Sequence, residues 1–340
     1  MWRSRVVSSR WWMEIQFIAS YRHGFSGGFS LSQSTESLSA PSGSGPNAGL
    51  RLLAIHAHPD DESSKGAAVM ASYAAAGVEV MVATCTGGER GSVLNVEVAD
   101  DPHALRDLAG LRQLEMANAA AALGVEQRWI GFADSGLPEG DPLPDLPFGC
   151  FALQPLERAS APLVRLVRHF RPHVILSYDE NGGYPHPDHI MAHKVAAEAF
   201  RASGDPEAYE GTGEPWEPMK LYYDRAFNPE RFRALHFALE EAGLQSPYAE
   251  RIAAWAEADA EGHQAMPAGH KTTTQIDCGD FFEHRERALL AHRTQVAPDG
   301  FFFAVSADMQ RRVWPWEDYS LIESRVQTEL PESDFFAGIR

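Results

Sequence analysis

Leu52–Gly66 reads LLAIHAHPDDESSKG: it opens apolar and closes with two histidines, three carboxylates and a lysine. Read from Arg51, RLLAIHA is a buried strand. The Ala-rich KGAAVMASYAAAG behind it is a helix closed by Gly77. A chain that places so many ionisable groups where a buried strand stops is either building a metal site or turning through solvent. This stretch alone leaves both readings open.

Outward from it the pattern repeats. VEVMVATCT is a second strand, followed by the Gly-rich loop GGERGSVLN. Helical spacing resumes from about Leu105 to Leu123, with Leu108, Leu111, Leu114 and Ala117 or Asn118 marking one face. QRWIGF is a short third strand, ADSGLPEGDPLPDLPFG a long loop, PLERASAPLVRLVRHF a helix and PHVILSY a fourth strand. This alternation predicts an α/β fold: a Rossmann-like, mainly parallel sheet with helices on both faces. Ligands bind outside the carboxyl ends of such strands, so the four loops that follow the strands should open on one rim. Beyond residue 204 the expected elements are a strand at MKLYYDRAF, helices from about 229 to 262, a strand at KTTTQIDC and a helix over 280–293. We expect residues 204–340 to form an α+β cap over that rim, within one domain spanning 49–340.

The totals exclude several classes. With 47 Asp+Glu against 29 Lys+Arg the net charge is −18, which repels phosphate backbones and argues against a nucleic-acid partner. The same charge argues against a basic membrane-binding face, and no apolar run approaches the ~20 residues of a membrane helix. The three cysteines form no C-x-x-C pair, which argues against a disulfide framework or a cysteine-built zinc site and suits the cytoplasm. Residues 1–48 carry four Arg and two Glu before dissolving into Ser, Gly and Pro. A secretory signal would need a longer apolar run, and the likeness to an organellar transit peptide is faint. We expect a disordered extension outside the fold.

Two clusters carry chemistry. Neighbouring side chains on an extended segment diverge, so Asp60 and Asp61 cannot share one job. If the chain turns at Pro59, His58 and Asp61 can converge while Asp60 approaches separately, giving two metal ligands and a free carboxylate. The second cluster, YPHPDHIMAH, spaces His186, His189 and His193 by three and four, so the imidazoles share a helix face. Pro187 fits the first helical position, and Asp188 suits the helix's positive end. Two imidazoles and a carboxylate with open positions suit catalytic Zn²⁺ and equally non-haem Fe²⁺. An iron oxygenase usually implies a jelly roll, which alternating strands and helices oppose. Hydrolysis at a Lewis-acid metal is the leading class.

AHPDDE (Ala57–Glu62) with HPDH (His186–His189) resembles the signature of the PIG-L/LmbE-like zinc deacetylases. The flanking blocks TGGERG, GFADSGLP, YDENGGYPHPDH, HRTQV and DFFAGI resemble the mycothiol S-conjugate amidase branch, and the likeness spans about 50–340. It implies a metal-dependent amidase that cleaves mycothiol S-conjugates, an amino-sugar thiol conjugate, into an N-acetylcysteine conjugate and glucosaminyl-inositol. The alternative is a deacetylase of N-acetylglucosaminyl-inositol or another amino-sugar amide. The resemblance implies that His58, Asp61 and His189 hold the metal and that Asp60 is the general base. His186 would stabilise the oxyanion or protonate the leaving amine, Asp188 would orient it, and Tyr184 would polarise the carbonyl.

Substrate residues are less determined. Arg112 matches the position that grips the sugar–inositol part, but an exposed helix arginine reads the same. Lys65 meets either the thiol-conjugate part or solvent. Asp134 either accepts hydroxyl hydrogen bonds or caps a turn. Arg90, beside Glu89, either touches substrate or forms a rim ion pair. His193 reads as a residue behind the ligands, His56 as packing beside the strand end, and Glu62 as orienting a ligand or starting a helix. His292 receives no role. Oligomeric state is not readable.

Overall fold

The computed structural model describes residues 45–260 and 270–340. Most of the expected N-terminal extension (1–44) and the end of the second expected C-terminal helix (261–262) lie outside the described residues. The elements run β1 (Arg51–His56), the single turn α1 (Asp61–Ser64), α2 (Ala67–Ala75), β2 (Glu79–Thr86), α3 (Pro102–Arg106), α4 (Leu108–Leu123) and β3 (Glu126–Phe132). There follow α5 (Leu156–Phe170), β4 (Val174–Ser177), α6 (Pro187–Ala202), β5 (Lys220–Asp224), α7 (Pro229–Glu241) and α8 (Ala249–Ala260). The last are β6 (Thr274–Asp277), α9 (Phe282–Ala291), α10 (Ala307–Val313) and β7 (Trp316–Ser324).

The seven strands lie in the order β3-β2-β1-β4-β5-β7-β6. Pairing is parallel from β3 to β5, whereas β7 runs antiparallel to both neighbours. The order reverses between β1 and β4, so their carboxyl ends flank the crevice where an open α/β sheet binds its ligand. β1 reads as an unbroken apolar run because it is buried on both faces. Leu52 and Ala54 join Val80 and Val82 in one core cluster, while Leu53 and Ile55 join Met81 and Ala83 in the other. Helices α2, α4 and α9 cover the first face, and α5 and α6 the second. Gly77 closes the first helix as expected: with φ 89 it lets its own N–H and that of Val78 reach the Ala74 and Tyr73 carbonyls.

Two expectations change. The helix expected over Leu105–Leu123 breaks at Asp107, whose carboxylate caps α4 by accepting from the Gly110 N–H. Its buried face is Arg112, Glu115, Met116, Ala119 and Leu123, not the leucine row, and Leu114 is 57% exposed. The helix turns charge inward because both charged groups find partners there. Arg112 donates to the Gly88 and Pro59 carbonyls, and Glu115 accepts from the Thr294 N–H and hydroxyl.

Residues 204–340 also divide. Their strands β5, β7 and β6 extend the sheet, and Tyr319, Phe335 and Phe336 enter the same core cluster as Leu52. Among the described residues of this stretch, only Phe227 and parts of 289–302 reach the rim pocket. The cap is therefore an edge of the sheet that folds over its own end. Among the described residues no helix is long and apolar enough to cross a membrane.

Candidate active site

The loop after β1 is held by charge. Asp60 adopts φ 109, a left-handed conformation rare for a residue with a Cβ, and its N–H donates to Glu62 Oε2 at 3.0 Å. That turn carries the chain into α1 and buries Asp61. Asp61 Oδ2 accepts from the His58 N–H (3.0 Å) and the Tyr178 hydroxyl (2.8 Å), and Oδ1 accepts from Lys65 Nζ (2.6 Å). Glu62 is wholly buried, and its Oε1 lies 2.6 Å from His292 Nε2.

The loop after β4 is held by backbone. Gly182 and Gly183 sit at φ 72 and 71, and Pro187 opens α6 with His186 as its N-cap. His189 Nδ1 lies 2.9 Å from the Gly182 carbonyl, so its proton sits there and Nε2 carries the lone pair. That Nε2 is buried without a hydrogen-bond partner and lies 3.4 Å from Asp61 Oδ2. Across the gap His58 Nδ1 lies 3.5 Å from the same oxygen. His58 Nε2 faces Asp188 Oδ2 at 3.2 Å and Asp134 Oδ1 at 3.6 Å.

These residues fit a divalent cation. An orphaned imidazole nitrogen beside a carboxylate and a second imidazole is what a metal satisfies. The imidazoles of His58, His186 and His189 each offer an atom within 4.8 Å of the others. His58 with Asp134 and Asp188 makes a second such group. The side of His58 and His189 that Asp61 Oδ2 faces, at 3.5 and 3.4 Å, is the better location, because Asp134 already accepts from the Arg90 and Gly136 N–H groups and Asp188 from Ser135. Burial alone would lower the His58 pKa, but Asp134, Asp188 and Asp61 together raise it well above the usual value. Burial lowers that of His189 and outweighs the pull of Asp61, which keeps the ring neutral.

Asp60 stands apart from Asp61 and faces the pocket, with Arg112 Nη2 3.6 Å from its Oδ2. Burial pushes its carboxyl up to about 6 against the opposing pull of Arg112. Burial, then His58 and His189, push the His186 ring well down, so it is neutral. Its Nδ1 accepts from the Asp188 N–H at 3.1 Å, which leaves the proton on Nε2. Tyr184 packs edge-on against His189, ring centres 4.5 Å apart, and burial raises its pKa so the phenol keeps its proton.

The expected role of Asp188 needs correction. Its backbone N–H touches His186, but its carboxylate holds His58 and the Ser135 N–H and hydroxyl. A side chain in the first turn of α6 looks back along the helix, toward the loop after β3.

Beside the cluster opens a cavity of about 280 Å³. Lys65, Arg90, Arg112 and Asp134 all line it, but each has a partner. Arg112 is 3% exposed and Lys65 5%, so neither is a surface residue. Arg90 donates through its N–H to Asp134 Oδ2 and through Nη1 to the Asp134 carbonyl. His193 lies behind the cluster, with Nδ1 on the Tyr178 carbonyl.

Sequence reading assigned no role to Tyr178, which bridges Asp61 and the Ala57 N–H and stacks on His189. Its position at the end of β4, beside β1, was the available signal. The Glu62–His292 and Glu115–Thr294 contacts span 230 and 179 residues, and no local spacing announces them.

Residues 53–200 match the family described as GlcNAc-PI de-N-acetylase (PIG-L). The mycothiol S-conjugate amidase of Streptomyces coelicolor is 52% identical over 293 residues, 86% of this chain and 98% of that protein. The 1D-myo-inositol 2-acetamido-2-deoxy-alpha-D-glucopyranoside deacetylase 2 of Frankia alni is 39% identical, covering 84% of this chain and 99% of its own. Among solved structures, the N,N'-diacetylchitobiose deacetylase of Pyrococcus horikoshii shares the fold at TM-score 0.52 and 18% identity, covering 80% of this chain and 83% of its own. A 4-carboxy-2-hydroxymuconate hydratase of Pseudomonas putida KT2440 does so at 0.53 and 16%, covering 83% and 99%, a reminder that this fold alone fixes no reaction. Sequence identity across nearly the whole length of its relatives, added to the paired strand-end loops, shows that this chain belongs to the GlcNAc-PI de-N-acetylase (PIG-L) family.

Proposed function

We propose that this chain is a metal-dependent amide hydrolase that cleaves mycothiol S-conjugates, releasing an N-acetylcysteine conjugate and glucosaminyl-inositol. The observation that carries this reading is 52% identity to a mycothiol S-conjugate amidase over 98% of its length, against 39% for the deacetylase of the same superfamily. The pocket supports it. Arg90, Arg112 and Asp134 line one part, suited to a hydroxylated sugar, while Phe227, Leu289, Val296, Phe301 and Phe302 offer an apolar wall for a thioether substituent.

In this reading His58, Asp61 and His189 hold the cation, and we assign it as Zn²⁺, with Fe²⁺ the competing ion. When bound, it supplies Lewis acidity that lowers the pKa of a water to about 7 and polarises the amide carbonyl. Asp60 takes the proton of the attacking water as the C–O bond forms. Tyr184 and the Nε2–H of His186 donate to the developing oxyanion. Asp60 then passes its proton to the amine nitrogen as the C–N bond breaks. Asp188 and Asp134 keep the His58 proton on Nε2, which turns Nδ1 toward Asp61.

The test is turnover by metal-stripped protein reconstituted with Zn²⁺ or Fe²⁺, on a bimane-type mycothiol conjugate and on N-acetylglucosaminyl-inositol. We expect the conjugate to be the better substrate in kcat/KM. Preference for the acetylated pseudodisaccharide would transfer the assignment to the deacetylase, and turnover unaffected by chelation would end the metal mechanism.

A further inference from the structure

A second cavity of about 70 Å³ lies beyond the apolar wall of the active-site pocket and shares Ser64, Phe227, Leu289, Phe301 and Phe302 with it. Arg225, Arg231 and Arg285 line it. Arg231 Nη2 and Arg285 Nη2 both donate to one neutral atom, Gln310 Oε1, at 3.0 and 2.8 Å. Arg285 is 7% exposed, with its guanidinium over the Phe282 ring at 4.2 Å. The Nε atoms of Arg225 and Arg231 are buried without a hydrogen-bond partner.

Three carboxylates also line the chamber, and each takes its hydrogen bonds from other groups, although Glu317 draws Arg285 and Arg231 electrostatically. Glu317 accepts from the Ala68 and Val69 N–H groups, and Asp318 from Asn228, Gln275 and Trp314. Asp224 accepts from the Ala226 N–H, and its main cationic neighbour is Lys65. Among the described residues none of the three guanidiniums has a carboxylate at ion-pair distance. Burial first, then the neighbouring Arg231, lower the Arg285 pKa to about 10, with Glu317 opposing. Converging guanidiniums, one buried and two half-buried, with unused donors are costly unless an anion joins them.

We infer that this chamber binds a small oxyanion, a carboxylate or an inorganic phosphate, through Arg231 and Arg285 with Arg225 at the edge. The inference goes beyond the amidase reading and does not require it. The anion is either free in solution or carried on the far end of a bound conjugate, whose apolar body lies along Phe227, Leu289, Phe301 and Phe302.

Thermal unfolding of the full chain, metal-loaded and metal-stripped, tests it by titration with sodium phosphate or sodium acetate against sodium chloride at fixed ionic strength. We expect a saturable rise in midpoint with phosphate or acetate in both forms. Arg231→Gln should weaken binding about tenfold or more. Arg285→Lys keeps the charge but loses the forked donors, so it should weaken binding while folding normally. A rise only in metal-loaded protein would put the anion on the cation and overturn the proposal. So would no rise above chloride, or an undiminished rise in both variants. The source is read from conjugates ending in a carboxylate or the matching carboxamide. A carboxylate preference in kcat/KM that Arg231→Gln abolishes assigns the site to substrate, whereas no preference with phosphate binding intact assigns it to a free anion. Failure of the amidase reading would silence this second assay and leave the titration standing.

Discussion

The loops after β1 and β4 leave adjacent strands, face the same gap and are made rigid by opposite means. The first spends charge: Asp61 is gripped by Lys65 and Tyr178, and Glu62 by His292. The second spends backbone geometry: positive-φ glycines, an N-capping histidine and a carbonyl that fixes the His189 tautomer. A charge-held loop can keep one carboxylate bound and its neighbour free, because each has its own partners. A backbone-held loop places a neutral imidazole without putting another charge beside the proposed cation. The division predicts that substitutions in the first loop act through protons and ion pairs, and those in the second through sterics.

The largest effect belongs to the free carboxylate. Asp60→Ala should leave metal content unchanged and lower kcat by at least ~100-fold. Metal analysis beside steady-state kinetics checks both halves, and near-normal turnover would remove Asp60 as the base. In the native enzyme the base works only when deprotonated. Burial places the Asp60 carboxyl at about 6, and a bound cation pulls it lower. The acid limb of kcat/KM should therefore fall at or below pH 6, with activity rising as pH increases through it.

In the second loop the sharp test is Gly182→Ala. A Cβ there would lie 2.6 Å from the His189 Cβ and 2.9 Å from the Tyr184 carbonyl oxygen, at a φ that side chains rarely adopt. The loop must shift and carry with it the carbonyl that orients His189. Metal affinity should drop about 10- to 100-fold, as for other lost partners of metal-bound histidines, and the strain should also lower the unfolding midpoint of stripped protein. An unchanged dissociation constant would show that the backbone is not what places this ligand.

Legibility in sequence followed the same division. β1 and β4 were readable because strands buried on both faces are continuous apolar runs, and His58, Asp61, His186 and His189 because they stand just past those ends. The face of α4 was misread because Arg112 and Glu115 are buried by partners far along the chain, which periodicity cannot weigh. The same reason hid Tyr178 and left His292 without a role. Lys65 was visible, but only the fold reveals that its ammonium lies on Asp61.

Lys65→Met separates the apo state from the loaded one. In stripped protein it leaves Asp61 Oδ1 buried without its partner, at a cost of about 1–3 kcal/mol. A cation on Asp61 supplies the missing positive charge, so loaded protein should lose less. The gap in unfolding midpoint between the two forms should widen relative to wild type. An equal loss in both would mean that Lys65 supports the loop by packing alone.

The smallest effect at neutral pH is expected from His292→Gln, which keeps an N–H donor for Glu62 and should change kcat by less than about tenfold. Its signature lies in the pH dependence of stability. Burial opposes the charge on both partners, but the pairing outweighs it: His292 raises its pKa and Glu62 lowers its own. The raised His292 contributes stability below its ordinary value of 6.5, lost as pH climbs through its folded pKa. The lowered Glu62 contributes above its ordinary value of 4.5, lost as pH falls through its folded pKa. The pair therefore supports the loop most between about 4.5 and 6.5. Unfolding of wild type and His292→Gln at pH 5.5 and 9 should show a larger difference at the lower value. A constant difference would mean that the contact holds Asp60 in place as a neutral hydrogen bond, and the first loop would depend on charge only at Asp61.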